Sequence, residues 1–163
     1  MTEEEIEYLG SGLRKQVDEQ LKGINNVTLL LKIFVEALGG KIVGTRDPEF
    51  FEVNGGSLLI KDKNNFLIRL PMDTSPLRDN FTLAHELGHY FMHYKEGDGV
   101  KLFARFGNDE KEIEANRFAA AFLMPKDEFI KVSKRCKNYV PFIAAHFQVS
   151  TDAVEERLKY IHG

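Results

Sequence analysis

Two histidines and a glutamate within five residues are the part of this sequence best suited to chemistry. His85, Glu86 and His89 stand in the pattern His-Glu-x-x-His. Two His four apart on a helix lie on one face, about 6 Å apart along the axis, so both imidazoles can reach one metal ion. The Glu between them is placed to act on a water molecule at that ion. The pattern therefore predicts a zinc hydrolase, and specifically a peptidase.

The pattern has chemical meaning only on a rigid, shielded helix, and the surrounding sequence predicts one. Ser75 can cap a helix that begins at Pro76, and a Gly-rich break first follows at Gly97. Two apolar stripes predict burial on both sides: Leu77, Phe81, Ala84, Gly88 and Phe91, and Leu83, Leu87, Tyr90 and Tyr94. Two unrelated histidines on a helix are the alternative, but here the histidines follow one narrow line between the stripes.

A catalytic zinc site usually has three protein ligands, so a third is expected downstream. The single cysteine, Cys136, has no Cys or His near it at ligand spacing, which favours a carboxylate. Residues 112–125 predict a second helix that ends at Pro125, on which Glu112 and Asn116 share a face. We interpret Glu112 as the third ligand and Asn116 as a partner that orients one of the histidine rings.

Ordinary structural roles remain open for the polar residues near this site. Asp109 followed three residues later by Glu112 also resembles a capping box. Glu114 can form an exposed pair with Arg117. His93 lies one turn beyond the motif. It is predicted as an outer partner of the site, meaning a residue that hydrogen-bonds to a metal ligand, or as a substrate-facing group. A structural hydrogen bond is its favoured role.

Three motifs occur in order between Arg78 and Pro125. They are Phe81-Thr-Leu-Ala-His-Glu-Leu-Gly-His-Tyr-Phe-Met-His93, then Glu112-x-Glu-Ala-Asn116-x-Phe-Ala-Ala, then Leu123-Met-Pro125. Together they resemble the ImmA/IrrE family of metallopeptidases, which are gluzincin-type zincins. Because the resemblance joins several motifs in order, it is far more specific than the His-Glu-x-x-His pattern alone.

The resemblance implies zinc held by His85, His89 and Glu112, with Glu86 as the catalytic carboxylate. It also implies an endopeptidase that cleaves a regulatory protein, a helix-turn-helix transcriptional repressor, to derepress genes of a mobile element or a stress response. A regulator that binds such a repressor without cutting it is the alternative. The intact Glu86 favours the peptidase, because a pure binding module needs no catalytic carboxylate. A structural zinc site is less favoured, since a fourth side chain or Cys normally closes such a site.

The fold class predicted is α+β: a zincin-like minimal metallopeptidase, mostly helical, with a small three-stranded mixed or antiparallel sheet packed on the active-site helix. The elements before that helix are two helices and three strands, at residues 2–22, 28–38, 41–45, 57–60 and 66–70. Gly10 and Gly12 argue against an unbroken first helix. Residues 66–70 are a candidate sheet edge for the substrate, although an ordinary packed hairpin explains them equally well.

We expect one domain over residues 1–163, with N-terminal helices and sheet at 1–74, ligand helices at 75–125 and a helical segment at 126–163. The loop at residues 95–109 joins the ligand helices and is the candidate for a mobile flap. Residues 141–158 have the spacing of a helix-turn-helix. Its second helix carries acidic side chains that would repel phosphates, so packing or partner recognition is favoured over DNA binding.

Composition predicts a cytoplasmic enzyme with no membrane segment. The chain has 163 residues, 43% of them hydrophobic, which is enough for a substantial core. One cysteine rules out a disulfide framework. The acidic start lacks a secretory signal, and no apolar run is long enough to span a membrane. The net charge of -3 argues against broad nucleic-acid binding.

Overall fold

The computed structural model describes residues 1–47, 57–104 and 109–162. Within these ranges the chain forms seven helices and four strands. In chain order they are α1 (Glu3–Gln20), α2 (Val27–Ala37), β1 (Gly40–Thr45), β2 (Ser57–Asp62), β3 (Asn65–Pro71), α3 (Pro76–Met92), β4 (Lys101–Ala104), α4 (Glu110–Leu123), α5 (Lys126–Arg135), α6 (Val140–Phe147) and α7 (Thr151–His162). The predicted α+β class, mostly helical with one small mixed sheet, is confirmed.

The sheet has the strand order β1-β3-β2-β4. β3 pairs parallel with β1 and antiparallel with β2, and β2 pairs antiparallel with β4. In the described residues the sheet therefore has four strands, one more than the sequence predicts. The added strand, β4, lies in the segment assigned to a loop, because four residues are too few to give a clear alternating pattern.

The substrate edge predicted at residues 66–70 is wrong. These residues form most of β3, which has a strand paired on each side. Among the described residues, the edges of the sheet are β1 and β4. β4 contacts the His-Glu-x-x-His motif, because the Phe103 ring of this strand lies against the ring of His89.

Helix α3 is the centre of the molecule, and α4 packs tightly along it. Leu83 and Leu87 of α3 and Phe118 of α4 are fully buried. A Cβ atom placed on Gly88 would lie only 3.2 Å from the Cα of Ala115 and from the Cβ of Phe118. Gly88 therefore allows α4 to approach the motif closely, and this approach brings the carboxylates of α4 to the histidines of α3.

Helix α1 is continuous from Glu3 to Gln20, so the expected break at Gly10 and Gly12 does not occur. A capping box between Thr2 and Glu5 starts the helix. A Cβ atom on Gly10 would come within 2.8 Å of the Ala121 Cβ, whereas a Cβ on Gly12 would meet nothing within 4 Å. Gly10 is thus a close contact between α1 and α4 and does not act as a helix breaker.

The C-terminal helices dock on the rest of the fold through a buried arginine. The guanidinium of Arg157 donates to both carboxylate oxygens of Glu7, at 2.7 and 2.6 Å, and to the carbonyl of Met124, at 3.2 and 2.8 Å. We call these three residues the Arg157 clamp. Ser150 caps α7 by accepting a hydrogen bond from the Ala153 amide at 3.2 Å. No helix in the described ranges is long and apolar enough to cross a membrane.

Candidate metal centre

Two capped helix starts set the register of the residues at the candidate site. The Ser75 hydroxyl accepts a hydrogen bond from the Arg78 amide at the start of α3, as the sequence predicts. Asp109 caps α4 by accepting from the amide of Glu112 at 2.9 Å. The carboxylate of Glu112 points to the histidines of α3. Capping therefore explains Asp109, and it leaves the side chain of Glu112 available to the site.

The side chains of His85, His89 and Glu112 converge on one point. The two carboxylate oxygens of Glu112 lie 3.0 Å from His85 Nε2 and 2.9 Å from His89 Nε2. One ligand atom from each residue falls within 4.8 Å of the other two. The three residues are 0%, 2% and 7% exposed, so water screens their charges and dipoles only weakly.

These residues fit a metal ion. His85 Nε2 is buried and has no hydrogen-bond partner among the described residues, since its contact with Glu112 lacks hydrogen-bond geometry. A buried nitrogen of this kind is costly unless it finds a partner. Ligands at ordinary zinc distances on a tetrahedral ion are roughly 3.3 Å apart, close to the separations between Glu112 and the histidines. Two imidazoles and a carboxylate are a donor set that zinc takes in catalytic sites.

The protonation states of His89 and Glu112 favour the binding of a cation. Burial, with the nearby charge of His85, lowers the pKa of His89 from 6.5 to about 4, so its ring is neutral at pH 7. Burial acts to raise the pKa of Glu112, but its close contacts with the two histidines outweigh burial, and the pKa is lowered. A neutral imidazole and an anionic carboxylate are the forms that bind metal.

Each histidine of the motif has an outer partner on its Nδ1 nitrogen. His85 Nδ1 lies 2.8 Å from Asn116 Oδ1. His89 Nδ1 lies 2.8 Å from His93 Nδ1, and His93 Nε2 lies 2.7 Å from Glu114 Oε2. The structure therefore places both residues predicted as outer partners, Asn116 and His93, against the two rings.

The alternative that Glu114 forms an exposed pair with Arg117 is wrong. Arg117 pairs with Glu3 of α1 at 2.6 Å, and Glu114 turns to His93 with its side chain only 13% exposed. Sequence reasoning missed this role because an i, i+3 pair on one helix is visible in the sequence and a contact between helices is not.

Glu86 is 1% exposed and lies on α3 between the two histidines of the motif. Its position along the helix is the one expected of a proton-transferring carboxylate in a His-Glu-x-x-His site. Tyr90, another polar residue of this helix, is directed elsewhere, because its hydroxyl donates to the carbonyl of Lys63. Its use as a donor to a reacting carbonyl is therefore disfavoured.

Phe103 is a residue at the site that sequence reasoning did not single out. Its ring stacks on His89 at a centroid distance of 4.9 Å and lies 6.4 Å from the ring of His93. The candidate flap at residues 95–109 thus contains a paired strand, β4, that covers the histidines. Residues 105–108 of that segment lie outside the described residues. An aromatic residue in a short run before the second ligand helix was the available signal.

The fold and the cluster define a class: a small α+β protein in which a His-Glu-x-x-His helix faces a glutamate of the following helix, as in the zincins. Residues 49–159, more than half of the chain, match a peptidase family described as the IrrE N-terminal-like domain. The chain belongs to this family, which confirms the resemblance found in the sequence.

Comparison with known structures agrees on the fold. A solved structure described as a Mycobacterium tuberculosis transcriptional regulator is similar, with a TM-score of 0.66 and 14% sequence identity over 96% of this chain. This chain spans only 46% of that protein. At this identity the likeness shows a shared fold alone. A comparison with curated proteins finds no match.

Proposed function

We propose that this protein is a zinc-dependent endopeptidase in which His85, His89 and Glu112 hold the metal. The observation that carries the proposal is the convergence of three buried ligand atoms, one of them the unpartnered His85 Nε2. The family match supports a peptidase. A purely structural zinc site is disfavoured, because such sites are closed by a fourth side chain and the described residues offer only these three.

Zinc in such a site supplies a Lewis acid that polarises a substrate carbonyl and makes water a better nucleophile near neutral pH. Glu86 takes the proton that the attacking water loses and passes it to the leaving amine. Its burial keeps that proton from exchanging with bulk water between the two steps. Asn116 fixes the ring of His85 through the 2.8 Å contact at Nδ1.

We further propose that the peptide substrate binds as an extra strand along β4. In the described part of the chain β4 pairs only with β2, so its other side can accept main-chain hydrogen bonds. Phe103 of this strand contacts His89, which puts a peptide on β4 close to the metal ligands. The exposed side chain of Leu102, 60% accessible, offers an apolar contact beside the peptide.

The proposed substrate is a regulatory protein, a helix-turn-helix transcriptional repressor whose cleavage derepresses genes of a mobile element or stress response. The family resemblance supports this target. We propose one domain over residues 1–163, because the buried core joins Ile6 of α1, Phe122 of α4 and Val154 of α7. A cytoplasmic location is proposed because the single Cys136 forms no disulfide.

The test is to incubate the zinc-loaded protein with a helix-turn-helix repressor encoded beside it and to look for cut fragments. Glu86→Gln should retain zinc and lower the cleavage rate by about 10²- to 10⁴-fold, the usual contribution of a proton-transferring group. Glu110→Gln is the matched control, because it makes the same change at an exposed position of α4. Equal cleavage by the Glu86→Gln and unaltered proteins would overturn the proposal.

A non-proteolytic regulator that binds the repressor is the second candidate. The observation that favours it is the burial of Glu86 and all three ligands, since binding through the outer surface would not require a substrate to reach them. Under this proposal the Glu86→Gln variant inactivates the repressor as well as the unaltered protein does, and neither produces a fragment.

A further inference from the structure

A polar chain runs outward from His89 on the side away from Glu112. His89 Nδ1 contacts His93 Nδ1 at 2.8 Å, and His93 Nε2 contacts a carboxylate oxygen of Glu114 at 2.7 Å. The side chains of His93 and Glu114 are only 6% and 13% exposed, so water competes weakly for these contacts. His93 is therefore held between a proposed metal ligand and a carboxylate.

We infer that Glu114 is a positioning residue: acting through His93, it selects the tautomer in which His89 presents the Nε2 lone pair to the metal. This inference rests on the proposed function, because it takes His85, His89 and Glu112 to be the metal ligands. It gives a separate role to the second glutamate of the Glu112-x-Glu114 pattern.

The direction of the hydrogen bonds from Glu114 through His93 to His89 follows from which atoms can donate and which can accept. A carboxylate can only accept, so the hydrogen at the contact with Glu114 lies on His93 Nε2. In the neutral form of His93 the one donor is at Nε2, so Nδ1 is an acceptor. His89 must then donate from Nδ1, and its Nε2 keeps the lone pair that a metal requires.

Glu114 is needed because Glu112 favours the opposite tautomer. Glu112 Oε1 lies 2.9 Å from His89 Nε2 and would accept a hydrogen there. A ring with its hydrogen on Nε2 has no lone pair for a metal at that nitrogen. The carboxylate of Glu114 opposes this preference from the far end of the chain. On His85 the amide oxygen of Asn116 does the same directly, at 2.8 Å from Nδ1.

The first test measures zinc affinity of the full chain by competition with a chromophoric chelator. Glu114→Ala should weaken zinc binding by about 10- to 100-fold, the usual cost of losing an outer partner. Glu110→Ala, which removes an exposed carboxylate from the same helix, should stay within about threefold of the unaltered protein. Glu114→Gln should recover most of the affinity, because its amide oxygen can still accept from His93.

Unchanged zinc affinity in Glu114→Ala would overturn the inference, and so would an equal loss in Glu110→Ala. Nitrogen-15 NMR of the zinc-loaded, unaltered protein is a second test that needs no variant. His89 should carry its hydrogen on Nδ1 and His93 on Nε2, and the reverse assignment for His93 would overturn the inference. Neither test measures cleavage. If the zinc tests succeed and the protein cuts nothing, only the peptidase proposal is refuted.

Discussion

The candidate metal centre and the Arg157 clamp are two buried polar clusters that differ in whether their polar atoms have hydrogen-bond partners within the protein. Arg157 is 2% exposed, like His89, yet its guanidinium donates to Glu7 and to the carbonyl of Met124. At the metal centre, the two Nε2 atoms face one carboxylate, Glu112, and His85 Nε2 has no hydrogen-bond partner in the described residues. The two clusters are therefore similarly buried, but only the clamp gives its buried donor partners for its hydrogen bonds.

The difference teaches how to separate a structural cluster from a ligand site. Buried polar atoms in folded proteins nearly always have partners, so a cluster that the protein completes by itself needs no ligand. A cluster whose unpartnered atom points toward other potential ligands is completed by something else. Changes at the metal centre should accordingly affect ligand binding, and changes at the clamp should affect stability.

The largest expected effect is the loss of zinc from Glu112→Gln. The amide removes the negative charge and is a poor zinc ligand, so we expect affinity to fall by more than the roughly 100-fold typical of outer partners. The free energy of unfolding of the metal-free protein should change by less than about 1 kcal/mol. Chelator competition and urea denaturation with EDTA measure the two quantities. A metal-free protein destabilised by several kcal/mol would make Glu112 a structural residue.

Breaking the clamp should give the reverse result. Arg157→Met leaves Glu7 partly buried without its cation and the Met124 carbonyl without its donor. We expect a loss of about 3 kcal/mol, at the lower end for a broken buried pair because the Glu7 side chain is 22% exposed. Zinc affinity should not change. The double variant Arg157→Met with Glu7→Leu should recover part of the stability, because replacing both partners removes the unpaired charge.

How far the sequence predicts each cluster follows from the separation of its residues. His85, Glu86 and His89 share one helix, so their spacing is enough to find them. The next predicted helix offers Glu112 as a candidate ligand, and the resemblance to the ImmA/IrrE family selects it. The clamp joins Glu7 to Arg157 across 150 residues, and no local pattern relates them. Phe103 and the strand order were missed for the same reason, since pairing between distant segments has no periodic signature in one strand. Most of the elements, though not β4, were predicted because helical spacing and caps are local.

Two glycines allow the same comparison of stability and zinc binding at the two faces of α4, one packed on α1 and the other on α3. A Cβ at Gly10 would lie 2.8 Å from the Ala121 Cβ on the α1 side, and one at Gly88 would lie 3.2 Å from the Ala115 Cα on the α3 side. We expect Gly10→Ala and Gly88→Ala each to cost about 1–3 kcal/mol in unfolding free energy, as overpacking does. Only Gly88→Ala should also weaken zinc binding, because it separates the helices that carry the ligands.

Gly12→Ala is the matched control for these glycines. It lies on α1 two residues from Gly10, and a Cβ there would meet nothing within 4 Å. Its expected effect is a stabilisation of up to about 1 kcal/mol from helix propensity. If Gly10→Ala and Gly12→Ala were equally stabilising, the close contact between α1 and α4 would be refuted. Urea denaturation of the three variants with EDTA gives the comparison.

The smallest expected effect is the contribution of Glu7 to the pH dependence of the unfolding free energy. This contribution should have opposite signs in the unaltered protein and in Arg157→Met. Burial acts to raise the pKa of Glu7, but the hydrogen bond and charge of Arg157, with smaller effects from Ser11 and Lys126, outweigh burial, so the folded pKa lies below 4.5. In the unaltered protein Glu7 therefore contributes stability above pH 4.5, and this contribution is lost as the pH falls through the folded pKa.

In Arg157→Met burial remains the largest effect on Glu7 and is opposed by the hydrogen bond from Ser11 and the charge of Lys126, so the pKa of Glu7 should rise above its ordinary value. Its effect on stability then reverses: the protonated carboxyl is tolerated at low pH, and stability is lost as the pH rises through 4.5. Glu112 and the other carboxyls contribute equally to both proteins, so the difference between their unfolding free energies isolates Glu7. That difference should shrink as the pH falls below 4.5, measured by urea denaturation with EDTA. A difference independent of pH would mean that Arg157 stabilises the fold through Met124 alone.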